Sequence, residues 1–238
     1  MSKQKLNIYR NENSILNDSF DQAVMNLHVE KEQHGYKTFV VCGCEAGDGA
    51  TTTAINIAAA FALAGVRTVL IDGDMRKKKV YKHLNEDTDD GLSNYLRGFC
   101  ALEDVIYETT TSNLFYIPCG ELITNPLRTL CSTKMTTLKK ELEEKFDFIV
   151  YDMPAVASGM DAKVIAAKSD AVILVSSLNK TSKKSLVSAA NTLSDSNINL
   201  IGTIINKASM DEYKRYRKDY DYFDSEKYVK QPKKAKRL

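Results

Sequence analysis

VVCGCEAGDGATTT, residues 40–53, runs from an apolar segment through a glycine-bearing turn into the start of a helix. Thr38–Cys42 (TFVVC) lacks polar alternation, which predicts a strand covered on both faces. Thr51–Ala64 reads as a helix that Gly65 ends. Glycines between a strand and a helix N-terminus let backbone N–H groups turn inward, where the helix dipole adds positive potential. Such a turn is a phosphate cradle. The P-loop template G-x-x-x-x-G-K-[ST] is met in part. Gly47 and Gly49 bracket the turn and Thr51 stands at the magnesium-binding hydroxyl, but Cys44 replaces the first Gly and Ala50 the Lys. On this loop alone a structural turn explains the pattern about as well.

Outward from the loop, short apolar runs alternate with helical stretches. Thr68–Asp72 (TVLID), Leu114–Pro118 (LFYIP), Phe148–Asp152 (FIVYD), Ala171–Ser176 (AVILVS) and Leu200–Asn206 (LIGTIIN) read as strands. Helices are expected over 19–33, with Phe20, Ala23, Val24 and Leu27 inward, over Met135–Lys145 and over Thr181–Ser194. Continuous apolar strands alternating with helices predict an α/β fold: one parallel sheet with helices on both faces. In such sheets ligands sit beyond the carboxyl ends of the strands. Two strands end in carboxylates there, Asp72 (with Asp74 and Arg76 following) and Asp152. A single Asp at a strand end most simply caps the next turn. Three beside a glycine loop point to Mg²⁺, which needs few direct carboxylates and keeps its waters.

Lys and Arg number 33 and Asp and Glu 31, a net charge of +2, which excludes a globally basic nucleic-acid binder. Hydrophobic residues at 43% and charged residues at 27% fit one substantial core. The longest clean apolar run, Ile57–Ala64, is far short of the ~20 residues of a membrane span. The first residues lack the apolar stretch of a signal peptide. Five cysteines, with Cys42 and Cys44 on one face of a strand end, read as reduced thiols rather than a metal set.

Residues 1–18 are expected to be a flexible arm, 19–210 the folded domain, and 211–238 a disordered tail. In 213–228 Tyr213, Tyr216, Tyr220, Tyr222 and Tyr228 alternate with charges and no aliphatic residue is present. Six cations and no carboxylate follow from Lys227 onward.

From about residue 19 to the tail the chain resembles the bacterial tyrosine kinases of capsule and exopolysaccharide synthesis. Their PGEGKST loop is matched by Ala46-Gly47-Asp48-Gly49-Ala50-Thr51-Thr52, their LLIDADxR by Val69–Arg76, and their FDxVIxDxPP by Phe146–Ala155. GLSNYLRG at 91–98, NPLRTL at 125–130 and the tyrosine-rich tail extend the match. The resemblance implies that ATP is held by Gly47, Asp48, Gly49, Ala50, Thr51 and Thr52, with Asn206 near the adenine, and that Mg²⁺ is held by Thr51, Asp72 and Asp152. It implies that Asp72 or Asp74 orients or deprotonates an attacking tyrosine hydroxyl and that Arg76 neutralises phosphate charge. Tyr213, Tyr216, Tyr220, Tyr222 and Tyr228 would be the phosphoacceptors. It further implies a membrane adaptor of polysaccharide export as partner. The chain would then be cytoplasmic, at the inner face of the plasma membrane.

Two departures from the family pattern matter. Ala50 removes the lysine that meets the β/γ-phosphates, and the earlier loop lysine of the related ParA/MinD-type ATPases is Glu45 here. The E-x-x-R-x-x-R pattern used for ring self-association is replaced by Gln22, Met25 and His28. Three functions stay open: a slow protein-tyrosine kinase, an ATP-binding pseudokinase scaffold of the same system, and a ParA/MinD-like ATPase switch. The tail tyrosines and IDGDMR argue against the last.

Overall fold

The computed structural model describes residues 14–76, 90–196, 198–209 and 211–212. In chain order the elements are α1 (Ser14–His34), β1 (Thr38–Gly43), α2 (Ala50–Leu63), β2 (Thr68–Asp72), α3 (Leu92–Arg97), α4 (Leu102–Val105), β3 (Tyr107–Glu108), β4 (Leu114–Ile117), α5 (Pro126–Leu130), α6 (Thr133–Lys145), β5 (Phe148–Met153), a 3-10 turn (Val156–Ser158), α7 (Asp161–Ala166), β6 (Ala171–Ser177), α8 (Lys183–Ser194) and β7 (Leu200–Asn206). The chain divides into two compact units, Met1–Asn206 and Lys207–Leu238. In the second unit the Glu212 carboxylate accepts from the Ser209 N–H and hydroxyl, both at 2.8 Å. Tyr213, Tyr216, Tyr220, Tyr222 and Tyr228 lie outside the described residues, as does the tail's expected flexibility.

The first unit is built on a seven-stranded sheet of order β3-β4-β2-β5-β1-β6-β7. All the pairs are parallel except β3 with β4. The six strands expected from sequence are all present, and the five longest lie side by side. Alternation along each strand sends side chains to two cores. Phe39, Val41, Leu70, Phe148 and Val150 face α1 and α2. Val40, Cys42, Val69, Ile71, Ile149 and Tyr151 face the layer that includes Leu92, Leu130, Leu138, Ile165 and Leu193 of α3, α5, α6, α7 and α8. This is the expected α/β architecture, P-loop NTPase-like, with helices on both faces.

α2 is apolar almost all round because it is covered twice, by the sheet below and by α1 above. Phe61 of α2 stacks on Phe148 with ring centroids 3.8 Å apart. α1 begins at Ser14, inside the expected arm, and lays Phe20, Val24 and Leu27 on this core. Met25 remains 58% exposed, so the face expected to carry ring-forming charges carries an apolar residue.

The amino end of the sheet is tied by Asp170, just before β6. Its Oδ2 accepts from the Lys37 and Thr38 N–H groups at 2.9 and 2.8 Å, and its Oδ1 meets Lys139 Nζ at 3.2 Å. Burial alone would raise this carboxyl's pKa, but the Thr38 and Lys37 N–H groups, the Thr38 hydroxyl and the Lys139 cation outweigh it and hold it below the ordinary carboxylate value. A lowered folded pKa stabilises above the unfolded value and is lost as pH falls through the folded one. Asp170→Ala should therefore lower the unfolding free energy at pH 7 by about 1–3 kcal/mol. The gap from wild type should close only below about pH 4. Urea unfolding across pH checks this; a gap unchanged by acid would show that the charge does not carry the tie.

Candidate functional site

β1 occupies the middle of the sheet, so the loop that leaves it stands between the carboxyl ends of β5 and β6. Gly47 (φ 86°) and Gly49 (φ 94°) take the left-handed conformation that side chains resist, which lets the loop reverse and α2 begin at Ala50. Ala50, Thr51 and Thr52 form the half-buried first turn of α2, where N–H groups have no intrahelical acceptor.

Asp48 holds the loop in this form. It is 1% exposed. Its Oδ2 accepts from the Glu45 N–H and its Oδ1 from the Thr181 hydroxyl, both at 2.8 Å. Thr181 is in turn fixed by the Ser177 N–H, which donates to its hydroxyl at 3.0 Å. Asn206, the last residue of β7, donates its side-chain amide to the Asp48 carbonyl at 2.9 Å. The amide expected near adenine is thus engaged with the loop itself.

The carboxylates converge in part. Asp72 and Asp152 are register partners on β2 and β5, and Val41 of β1 is the register partner of Asp152 on the other side. By alternation both project to the α2 face, the face on which the loop enters its helix. Both are buried. Asp72 Oδ1 accepts from the Asp74 N–H at 3.1 Å. Asp74 Oδ1 accepts from the Arg76 N–H at 3.3 Å, so Asp74 braces the turn after β2. Among the described residues no three His, Cys, Asp or Glu side chains group as a metal cage. Of the three carboxylates expected together, Asp72 and Asp152 are side by side by register and Asp74 braces the following turn, while Thr51 stands on the first turn of α2. That oxygen donor set fits Mg²⁺, which keeps waters and takes its other ligands from phosphate.

Tyr116 of β4 adds a feature the sequence reading missed. Its hydroxyl is buried on the same face and has no hydrogen-bond partner among the described residues. Burial, then the charges of Asp72, Cys119 and Asp152, push its pKa well above the ordinary phenol value, so it stays a neutral donor. The Arg76 guanidinium pairs with the buried Asp161 of α7 through both Nε and Nη2, the latter at 2.9 Å. Lys180 and Thr181, also missed, sit just beyond the carboxyl end of β6, where the strand-end rule could have found them.

The arrangement is that of a family. A family model described as AAA domain matches residues 36–201. Tyrosine-protein kinase CpsD of Streptococcus pneumoniae serotype 4 is 34% identical over 174 residues, which is 72% of this chain and 76% of CpsD. The chain belongs to the bacterial tyrosine-protein kinases of capsule and exopolysaccharide synthesis. Tyrosine-protein kinase YwqD of Bacillus subtilis is 26% identical over 203 residues, 85% of this chain and 86% of YwqD. Among solved structures, the VpsO kinase domain matches with a TM-score of 0.72 at 27% identity, covering 79% of this chain and 92% of that one. No described helix of this tyrosine-kinase family member is long and apolar enough to cross a membrane.

Cys42 and Cys44 sit on the far face of β1 from α2, in the second core. Burial, then Cys44 and Asp152, pushes Cys42 up to about 12. Burial, then Asp48 and Glu45, pushes Cys44 up to about 11. At pH 8 the Cys42 thiol is then protonated and unreactive. Iodoacetamide at pH 8 should label exposed Cys131 in the native protein and leave Cys42 and Cys44 unmodified until urea unfolds it. Rapid native labelling of Cys42 would contradict the packing of the β1 end.

Proposed function

We propose that this chain binds ATP with Mg²⁺ at the carboxyl edge of the sheet and acts as a protein-tyrosine kinase of polysaccharide synthesis, slowed by the absence of a loop lysine. One observation carries the reading. The left-handed glycine loop enters α2 on the same sheet face as the register pair Asp72 and Asp152. A phosphate cradle and two cation-binding carboxylates at one strand edge are what phosphoryl transfer needs.

The roles follow from the chemistry of each group. Loop N–H groups and the start of α2 receive phosphate oxygens. The Thr51 hydroxyl and the Asp152 carboxylate would hold Mg²⁺, whose charge would offset that of the phosphates. A tyrosine hydroxyl attacks the γ-phosphorus of ATP, the bond to the β,γ-bridging oxygen breaks, ADP leaves, and the phenolic proton passes to Asp72 or Asp74. A phenol has a pKa near ~10, so a carboxylate within hydrogen-bond reach is needed to aim it at neutral pH. The acceptors are Tyr213, Tyr216, Tyr220, Tyr222 and Tyr228 of a neighbouring subunit. A membrane adaptor of polysaccharide export is the partner that brings the chain to the inner face of the plasma membrane.

Ala50 supports a second reading, an ATP-binding scaffold with little catalysis. Losing one preorganised donor to a developing charge commonly costs about 10²–10³ in rate. The test is Mg²⁺-dependent ATP binding by calorimetry, followed by autophosphorylation of wild type and Ala50→Lys. Wild type should bind ATP and label its tail weakly, and Ala50→Lys should raise the rate about a hundredfold. Failure of wild type to bind any adenine nucleotide would remove both readings. Strong labelling by the unaltered chain would remove the claim of impairment.

A further inference from the structure

The phosphate loop has no cation of its own at position 50 or at position 45, yet a cation stands on it. Lys180, in the turn between β6 and α8, donates from Nζ to the Ala46 carbonyl at 3.2 Å. The same Nζ lies 2.9 Å from the point where a Cβ on Gly47 would be. The ammonium therefore sits against the bare backbone of the loop, at the residue whose missing side chain makes room for it.

The Lys180 side chain is exposed, but the turn that carries it is fixed. The Lys180 N–H donates to the Ser177 carbonyl at 3.2 Å, and the Thr181 N–H donates to the same carbonyl at 2.9 Å. Thr181 is locked to Asp48 of the loop by its hydroxyl at 2.8 Å. Ser182 then caps α8 by accepting from the Ser185 N–H at 3.0 Å. The turn that carries Lys180 is thus tied to the loop one residue away from Lys180. An ammonium has three donors. Among the described residues Ala46 takes one, leaving two for oxygens of an anion in the cradle. Arg76, the other cation expected for this task, is held by Asp161.

We propose that Lys180 supplies in cis, from the turn after β6, the phosphate-binding charge that Ala50 withholds from the loop. The proposal rests on the reading of the loop as a nucleotide site and extends it to a residue that the loop motif does not contain. Lys180 binds the phosphate chain and leaves the nucleoside to other groups. Its contribution accordingly grows with the number of phosphate charges.

The test is calorimetry of the full chain with Mg-ATP, Mg-ADP and AMP, on wild type, Lys180→Ala, Lys180→Arg, Lys183→Ala and the double variant Ala50→Lys/Lys180→Ala. Lys183 is an exposed cation on the first turn of α8 and controls for general charge. A charge-assisted hydrogen bond of this kind corresponds to about tenfold or more in affinity. Lys180→Ala should weaken ATP and ADP by about tenfold and AMP by clearly less, while Lys180→Arg and Lys183→Ala stay within a few-fold of wild type. A lysine at position 50 should restore the affinity that Lys180→Ala loses, the non-additivity expected of two groups serving one ligand. Wild type binding ATP with Lys180→Ala unchanged overturns this proposal and leaves the nucleotide reading standing. Wild type binding none of the three nucleotides overturns the nucleotide reading and this proposal with it. Equal melting temperatures of wild type and Lys180→Ala identify a change in affinity as a change at the site.

Discussion

The Asp48 carboxylate accepts from the Glu45 N–H on one oxygen and from the Thr181 hydroxyl on the other. A buried carboxylate left without such donors would be strongly destabilising. Meeting that need fixes three pieces of chain at once. It closes the turn between β1 and α2, it ties that turn to the one after β6, and through the Asp48 carbonyl it holds the end of β7. The left-handed geometry at Gly47 and Gly49 costs little in itself, but without the carboxylate nothing in the loop's own sequence would select that geometry. The start of α2 and the position of the turn that carries Lys180 both follow from it.

The sheet supplies the other half of the site by register. Asp72 and Asp152 are opposite each other because β2 and β5 pair in parallel with no bulge between them. A slip of one residue would send one carboxylate into the opposite core. Phe148 and Val150 guard against that slip, since both fill the α2 face and Phe148 stacks on Phe61. Packing of apolar rings in the core thus decides where charge appears at the edge.

Much of this was legible in the residues. TFVVC, TVLID, FIVYD and AVILVS are apolar runs that form strands buried on both faces. LIGTIIN, read the same way, forms its strand at the sheet edge instead, where no residue is fully buried and Ile205 is 60% exposed. β3 left no such trace. Tyr107 and Glu108 pair antiparallel at the sheet edge, a two-residue strand stabilised by its neighbour rather than by a pattern of its own. The short helices α3, α5 and α7 were also hidden, being too brief for a period to show. At the site, the glycine loop and the strand-end carboxylates were readable from local spacing. The Asp48–Thr181 tie, the Arg76–Asp161 pair and the Lys180 contact join residues far apart in the chain. No local pattern encodes such pairs, and only the order of strands in the sheet brings them together.

A crystal structure of the full chain with a non-hydrolysable ATP analogue and Mg²⁺ tests the central claim most directly. The account predicts the phosphates within the turn of residues 44–51, Mg²⁺ beside Thr51 and Asp152, and the loop still pinned by Asp48 to Thr181. Nucleotide bound away from that turn, or a loop that abandons the Asp48 tie to bind it, would contradict the account.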